Sequence, residues 1–246
     1  MDMKNRDRSD DREELIMSFK TFRNFVVLAL IVATPSVAAE APFAGEIALF
    51  RVEDQIYPPL GCETLFVGSS SFRFWSRMQQ DFPNRKVLKR GFGGASIADI
   101  NYHFEAVVGR YKPRQIVFYA GENDINIGKP VASVVADFQT FLDHKTVVMG
   151  ETPVLFVSVK PSIARTADFA LQTELNRQVA QLADERDDLD YVDIVEPMMR
   201  DGKPRPELFI SDKLHMNAKG YAIWRGRIAR VLSDQKIVSN QRCHTK

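Results

Sequence analysis

Five short apolar runs alternate with segments whose apolar residues recur every three or four positions, and this alternation limits the fold more than any other feature. The runs are 65–67 (LFV), 87–88 (VL), 116–120 (IVFYA), 154–159 (VLFVSV) and 191–194 (YVDI). The third and fourth are almost wholly apolar and rich in β-branched and aromatic residues, which suits strands buried on both faces of a parallel sheet. Between the runs, 72–82, 97–111, 131–149 and 167–186 carry helical spacing, and a last helix is predicted over 217–232. Strand and helix in alternation predict an α/β fold, a three-layer α/β/α sandwich around a central parallel five-stranded sheet. Residues 41–60 read as a segment ahead of the first strand, and 233–246 as a polar tail.

The 246 residues are 45% hydrophobic and 26% charged, enough apolar side chains for one sizeable core. A net charge of +1 with no long basic stretch argues against a nucleic-acid partner. Ahead of this domain, FVVLALIVA at 25–33 follows Lys20 and Arg23 and precedes TPSVAA, with no acid between Met17 and Ala39. This layout predicts a secretory signal peptide cut before Glu40. The run falls short of the roughly 20 apolar residues a spanning helix needs, so no stable membrane span is expected after cleavage. The expected location is outside the cytoplasm, in the periplasm or secreted. Residues 1–16 carry six acids and do not suit such a leader, so the reading frame is taken to start at Met17. The domain organisation is thus 1–39 extension and signal peptide, and 40–246 a single domain. Cys62 and Cys243 are the two cysteines. An exported protein can oxidise them to a disulfide, provided their Cα atoms come within about 7 Å.

In parallel α/β sheets, sites form beyond the carboxyl ends of the strands. Four stretches lie there or just before the last helix: VGSSS after strand one, RGFGGAS after strand two, GENDI after strand three, and SDKLHMNAKGY. They bring a serine hydroxyl, backbone N–H groups at glycines, an amide and an Asp-x-x-His pair to one edge. Those are the parts of acyl transfer. Serine needs a base to take its proton, histidine serves near neutral pH, a carboxylate fixes the ring tautomer, and N–H donors meet the developing oxyanion.

The four blocks, in this order, resemble those of the SGNH hydrolases, also called GDSL-like esterases or lipases. The nearest likeness is to bacterial members related to platelet-activating-factor acetylhydrolase, and it covers about 44–232. The resemblance implies a flavodoxin-like SGNH architecture and a carboxylic ester hydrolase acting on a small-molecule ester without a cofactor. It implies Ser70 as nucleophile, His215 as base and Asp212 as its partner, with the oxyanion met by Ser70, Gly94 and Asn123. Ser69 stands where the family usually has aspartate, and Lys89 where relatives often have asparagine. Ser69 is expected to brace the glycine loop, and Ser71 to cap the helix or tighten the turn.

The same residues admit other readings. G-x-G-x-x-S at 91–96 lacks the third glycine of a dinucleotide loop. The histidines His103, His144, His215 and His244 show no metal-ligand spacing, so no metal is expected. His103, His144 and His244 are read as helix-surface or tail residues. Glu122 and Asp124 are expected to order their loop or face solvent. Lys160 and Arg165, in VKPSIAR after strand four, either line the substrate or belong to a solvated loop. Phe72, Phe74, Trp75 and Trp224 are read as helix packing first and substrate wall second. The rival function is an exported, non-catalytic carbohydrate- or lipid-binding module on the same fold.

Overall fold

The computed structural model describes residues 40–234. The signal peptide, its cut site, the tail beyond 234 and the Cys62–Cys243 pairing fall outside them. Helix α1 (Ala44–Ile56) precedes strand β1 (Thr64–Gly68), and two single turns follow, α2 (Ser70–Arg73) and α3 (Met78–Asp81). Strand β2 (Val87–Gly91) leads to α4 (Ile97–Tyr102) and α5 (Phe104–Val107), then to β3 (Gln115–Tyr119). After β3 come α6 (Glu122–Asn126), the long α7 (Val131–Met149) and β4 (Val154–Val157). A 3-10 turn (Ile163–Asp168), α8 (Phe169–Asp184), β5 (Leu189–Val192) and α9 (Val195–Met198) complete the sheet region. A two-residue hairpin, β6 (Met199–Arg200) with β7 (Lys203–Pro204), and α10 (Ala218–Asp234) close the chain.

The five main strands are parallel, in the order β2-β1-β3-β4-β5. Every residue of β1, β3 and β4 is buried, as their continuous apolar runs require. Side chains alternate between the two faces. Leu65, Val67, Ile116, Phe118, Val154 and Phe156 enter one core, with α4, α7 and α8. Phe66, Val117, Tyr119, Leu155 and Val157 enter the other, against α2, α3 and α10. On α7 the buried set Val134, Phe138, Phe141, Leu142 and Lys145 repeats at helical spacing, so this element keeps the span the sequence predicts.

Three predicted helices differ from what formed. The 72–82 segment breaks after one turn: Phe74 turns outward while Trp75 turns into the core and donates its indole N–H to Asp81 Oδ2 at 2.7 Å. The 97–111 segment breaks at His103 and again at Val108, whose φ/ψ of −134° and −63° is not helical. His103 is buried, with Nε2 2.5 Å from the Pro42 carbonyl, so it is not a surface residue. Residues ahead of Phe169 form the 3-10 turn, not the start of α8.

Among the elements that the sequence pattern did not predict, a long helix and a hairpin stand out. One is α1, docked through Arg90 of β2. That guanidinium is 2% exposed; it pairs with Glu53 at 3.1 Å and with Asp54, and lies 5.0 Å from the Phe50 ring centre. A buried arginine demands such partners, so removing both helix carboxylates would leave its charge uncompensated. The other is the β6–β7 hairpin, turned by Asp201 and Gly202, both at positive φ (52° and 73°). No helix among the described residues is long and apolar enough to cross a membrane.

Candidate active site

The strand order reverses between β1 and β3, and in such sheets the crevice at that reversal is where ligands bind. The loops after both strands meet there. A Cβ on Gly68 would lie 2.0 Å from the Tyr119 carbonyl oxygen, so only glycine lets β1 run this close to β3 as the chain turns into Ser69. Ser69 N–H then donates to that same carbonyl at 3.0 Å. Ser70 is the first residue of α2 and is partly exposed, whereas Ser69 and Ser71 on either side are buried.

Ser70 Oγ lies 2.9 Å from His215 Nε2, and His215 Nδ1 lies 2.6 Å from Asp212 Oδ2. With Nδ1–H donating to the carboxylate, Nε2 is left to accept the serine proton. The three-residue spacing of Asp-x-x-His explains the arrangement. Asp212 Oδ1 accepts the backbone N–H groups of Leu214 and His215, each at 2.9 Å, folding the loop over its own side chain while Oδ2 stays free for the imidazole. Partial burial pushes the Asp212 carboxyl up, but the His215 ring and the two N–H bonds outweigh it and hold it below the ordinary value. The loop is pinned by Asn217, whose amide donates to the carbonyls of Glu207 (2.9 Å) and Phe209 (3.1 Å). Phe74 packs edge-on against the imidazole, ring centres 4.6 Å apart, and is half exposed. Beside it, a cleft of about 300 Å³ opens between residues that include Phe74, Arg77, Met216 and Tyr221.

Gly94 sits at φ 79°, a conformation that side-chain-bearing residues rarely adopt. Asn123 Nδ2 donates to the Ala95 carbonyl at 3.0 Å, which ties the β3 loop to the glycine loop and leaves its second amide proton free. Neither the Ser70 nor the Gly94 N–H has an acceptor among the described residues. Asp124 is fully buried and accepts the Ile97 N–H at 3.1 Å, closing the start of α4 from across the crevice. Burial pushes its carboxyl up to about 6.

The model of the GDSL-like lipase/acylhydrolase family matches residues 61–223. The chain belongs to that family. Among curated proteins none matches. Solved structures similar to this GDSL-like chain include a candidate platelet activating factor from Streptococcus pneumonia (TM-score 0.68, 18% identity, 76% of this chain and 91% of that one). A GDSL-like lipase from Bacteroides thetaiotaomicron aligns at TM-score 0.66 and 18% identity, over 76% of this chain and 97% of its own. A catalytic serine-to-alanine mutant of an acetylxylan esterase from Geobacillus stearothermophilus aligns at TM-score 0.54 and 15% identity, over 69% and 94%. These likenesses establish the SGNH-type α/β/α fold, and family membership supports ester hydrolysis as the class of chemistry.

Several GDSL-block residues sit differently from expectation. Ser69 Oγ is buried without a hydrogen-bond partner, so it braces nothing through its hydroxyl. Ser71 Oγ is equally unpartnered; its carbonyl instead accepts the Tyr221 hydroxyl of α10 at 2.9 Å. Lys89 supplies a brace of its own, Nζ to the Arg73 carbonyl at 3.2 Å, which ties β2 to α2. Glu122 and Lys160 do not face solvent. Lys160 Nζ lies 2.7 Å from both Glu122 oxygens, and the Tyr119 hydroxyl donates to the same carboxylate at 2.9 Å. Phe72, Trp75 and Trp224 are core; Phe74 alone of those four aromatics reaches the site's surface. The sequence reading missed Glu46. From α1 it accepts the Gly93 N–H at 3.0 Å and pairs with Arg73 at 2.6 Å, holding the glycine loop against the serine helix. The spacing of Ile47, Phe50 and Asp54 on one helical face was the available signal for α1.

Proposed function

We propose that this GDSL-like hydrolase is a serine esterase that cleaves short-chain carboxylic esters through an acyl-enzyme on Ser70. The observation that carries this reading is the unbroken line from Asp212 through His215 to Ser70, 2.6 Å and 2.9 Å long in its two links. Ser70 Oγ attacks the ester carbonyl carbon as His215 Nε2 takes its proton. Asp212 keeps the ring in the accepting tautomer and stabilises the imidazolium. The oxyanion is met by the N–H groups of Ser70 and Gly94 and by the Asn123 amide. His215 then returns the proton to the leaving alcohol, and a water activated by the same ring releases the acid and restores Ser70.

A preference for acetyl and other short acyl groups is supported by the openness of the site. The His215 side chain is 16% exposed and that of Asp212 41%. Initial rates on 4-nitrophenyl esters of two to twelve carbons test the proposal. The expected result is the highest kcat/KM at two to four carbons, and loss of turnover in Ser70→Ala. Rates that climb with chain length would point to a long-chain lipase, and no turnover of any ester would favour a binding module. The reading includes export, and Glu40 at the N-terminus of the exported protein is its check.

A further inference from the structure

Of the two cations that follow β4, Lys160 is sealed in its pair with Glu122, while Arg165 is only partly buried. We infer that Arg165 is the specificity determinant of the site and holds an anionic group, a carboxylate or a phosphate, on the ester substrate. The inference rests on the esterase reading and adds a substrate class to it.

The position comes from two anchors on either side of Arg165. Ala164 N–H donates at 3.1 Å to the carbonyl of Lys213, inside the loop that carries Asp212 and His215. Asp168 Oδ2 accepts from Asn126 Nδ2 at 2.9 Å, on the same short helix as Asn123. The 3-10 turn thus joins the His215 side of the crevice to the Asn123 side, and Arg165 lies between the two attachments. The backbone leaves 3-10 geometry at this residue, with φ −117° and ψ 27°.

The side chain is underused. Its Nε is buried and has no acceptor, and no carboxylate of the described residues lies within ion-pair distance. Asp168, three residues on, is engaged with Asn126 instead. By contrast Arg73, Arg90, Arg186 and Arg205 each have an acid partner. A buried donor with no acceptor is destabilising by itself, and no hydrogen bond or ion pair among the described residues engages the outer N–H groups of this guanidinium, which leaves them for a partner supplied from outside. The same stretch holds further unpartnered polar groups, Ser162 Oγ and both ends of the Gln172 amide, each on a residue 1% exposed. A guanidinium presents parallel N–H groups that match two oxygens of a carboxylate or phosphate. Carried on the turn that spans from the Lys213 loop to the helix of Asn123, it would seat that anion on the ester's alcohol or acyl part and so orient the scissile carbonyl.

Three acetates of one shape test this: phenyl acetate, 4-acetoxybenzoate and 4-acetoxyphenyl phosphate. The wild type is expected to favour at least one anionic ester over the neutral one by roughly 10–100-fold in kcat/KM, the range of a charge-assisted hydrogen bond. The arm that gains identifies carboxylate or phosphate. In Arg165→Gln that ratio should fall to about one, chiefly through KM of the anionic ester, and Arg165→Lys should keep part of it. Calorimetric titration with 4-hydroxybenzoate and phenyl phosphate reads the same site without turnover. The wild type should bind one of them and Arg165→Gln should not, even were the esterase reading to fail. Equal losses on neutral and anionic esters, or no anion preference and no anion binding in the wild type, would overturn the inference.

Discussion

Two chains of carboxylate, nitrogen base and hydroxyl lie at the same edge of the sheet, and they are linked differently: the imidazole stands in the middle of one and the carboxylate in the middle of the other. Asp212, His215 and Ser70 form one; Glu122, Lys160 and Tyr119 form the other. Burial separates them. Lys160 is 0% exposed and Glu122 5%, against 16% for His215 and 41% for Asp212. In the sealed chain burial, then the neighbouring Glu122 charge, raises the Tyr119 phenol well above its ordinary value, so its proton stays in place. In the open chain the hydroxyl faces the free nitrogen of an imidazole at the surface, where a substrate can arrive and a proton can move. The comparison teaches that groups of the same kinds are locked or left accessible according to burial and to which of them stands in the middle. The buried Lys160–Glu122 pair holds the residue next to Asn123, and His215 stays open to solvent, as the proposed turnover requires.

The largest effect should come from the open chain. His215→Ala is expected to lower kcat by roughly 10⁴-fold or more, and Ser70→Ala combined with it should add little, because the two act as one unit. Additive losses in steady-state kinetics of the double variant would break the chain as drawn. Next is the sealed chain. Lys160→Met leaves the Glu122 carboxylate buried and unpaired, an expected loss of about 3–5 kcal/mol in denaturant unfolding. Glu122→Leu with Lys160→Met should recover most of it. If Lys160→Met were as stable as wild type, the sealed chain would not be the structural one.

Asn123→Ala comes third, because Asn123 directly follows the residue that the sealed chain holds. Its kcat should drop roughly 10²–10³-fold with little change in KM, since the amide matters most when charge develops on the carbonyl oxygen. A change confined to KM would assign Asn123 to substrate binding. The smallest effect concerns Asp124, buried yet in no ion pair among the described residues. Its carboxyl ionises near 4 when unfolded but at about 6 when folded. Its stabilising contribution is therefore complete below about pH 4 and is lost as pH rises through 6, on the order of 2–3 kcal/mol. Unfolding free energies from pH 4 to 7 should show that decline in the wild type, and Asp124→Asn should flatten it.

How much of this was legible before the structure follows from particular residues. The sheet was legible because β1, β3 and β4 are buried on both faces and therefore read as unbroken apolar runs. Helix α7 was legible because its long span repeats one buried stripe. The four stretches of the site could be placed because they follow strands or precede the last helix, and Ser70, Gly94, Asn123, Asp212 and His215 could be picked out within them through the resemblance to the GDSL-like blocks. The fate of Lys160 was not legible, since Glu122 lies 38 positions away and only the β3–β4 pairing brings the two together. Helix α1 escaped because several of its apolar residues, Leu49, Val52 and Ile56, stay exposed and blur its inward face. The Asp-Gly turn of the hairpin was present in the sequence, but strands of two residues give no alternation to flank it.

The central claim is that Ser70, and neither neighbouring serine, is the nucleophile, because only its hydroxyl meets His215. A fluorophosphonate that traps activated serines tests this most directly, read by intact mass and by peptide mapping of the modified residue. The account predicts one adduct per chain, on Ser70, formed in Ser69→Ala and Ser71→Ala and absent in Ser70→Ala and His215→Ala. An adduct on Ser71, or a folded wild type that takes no label at all, would contradict it.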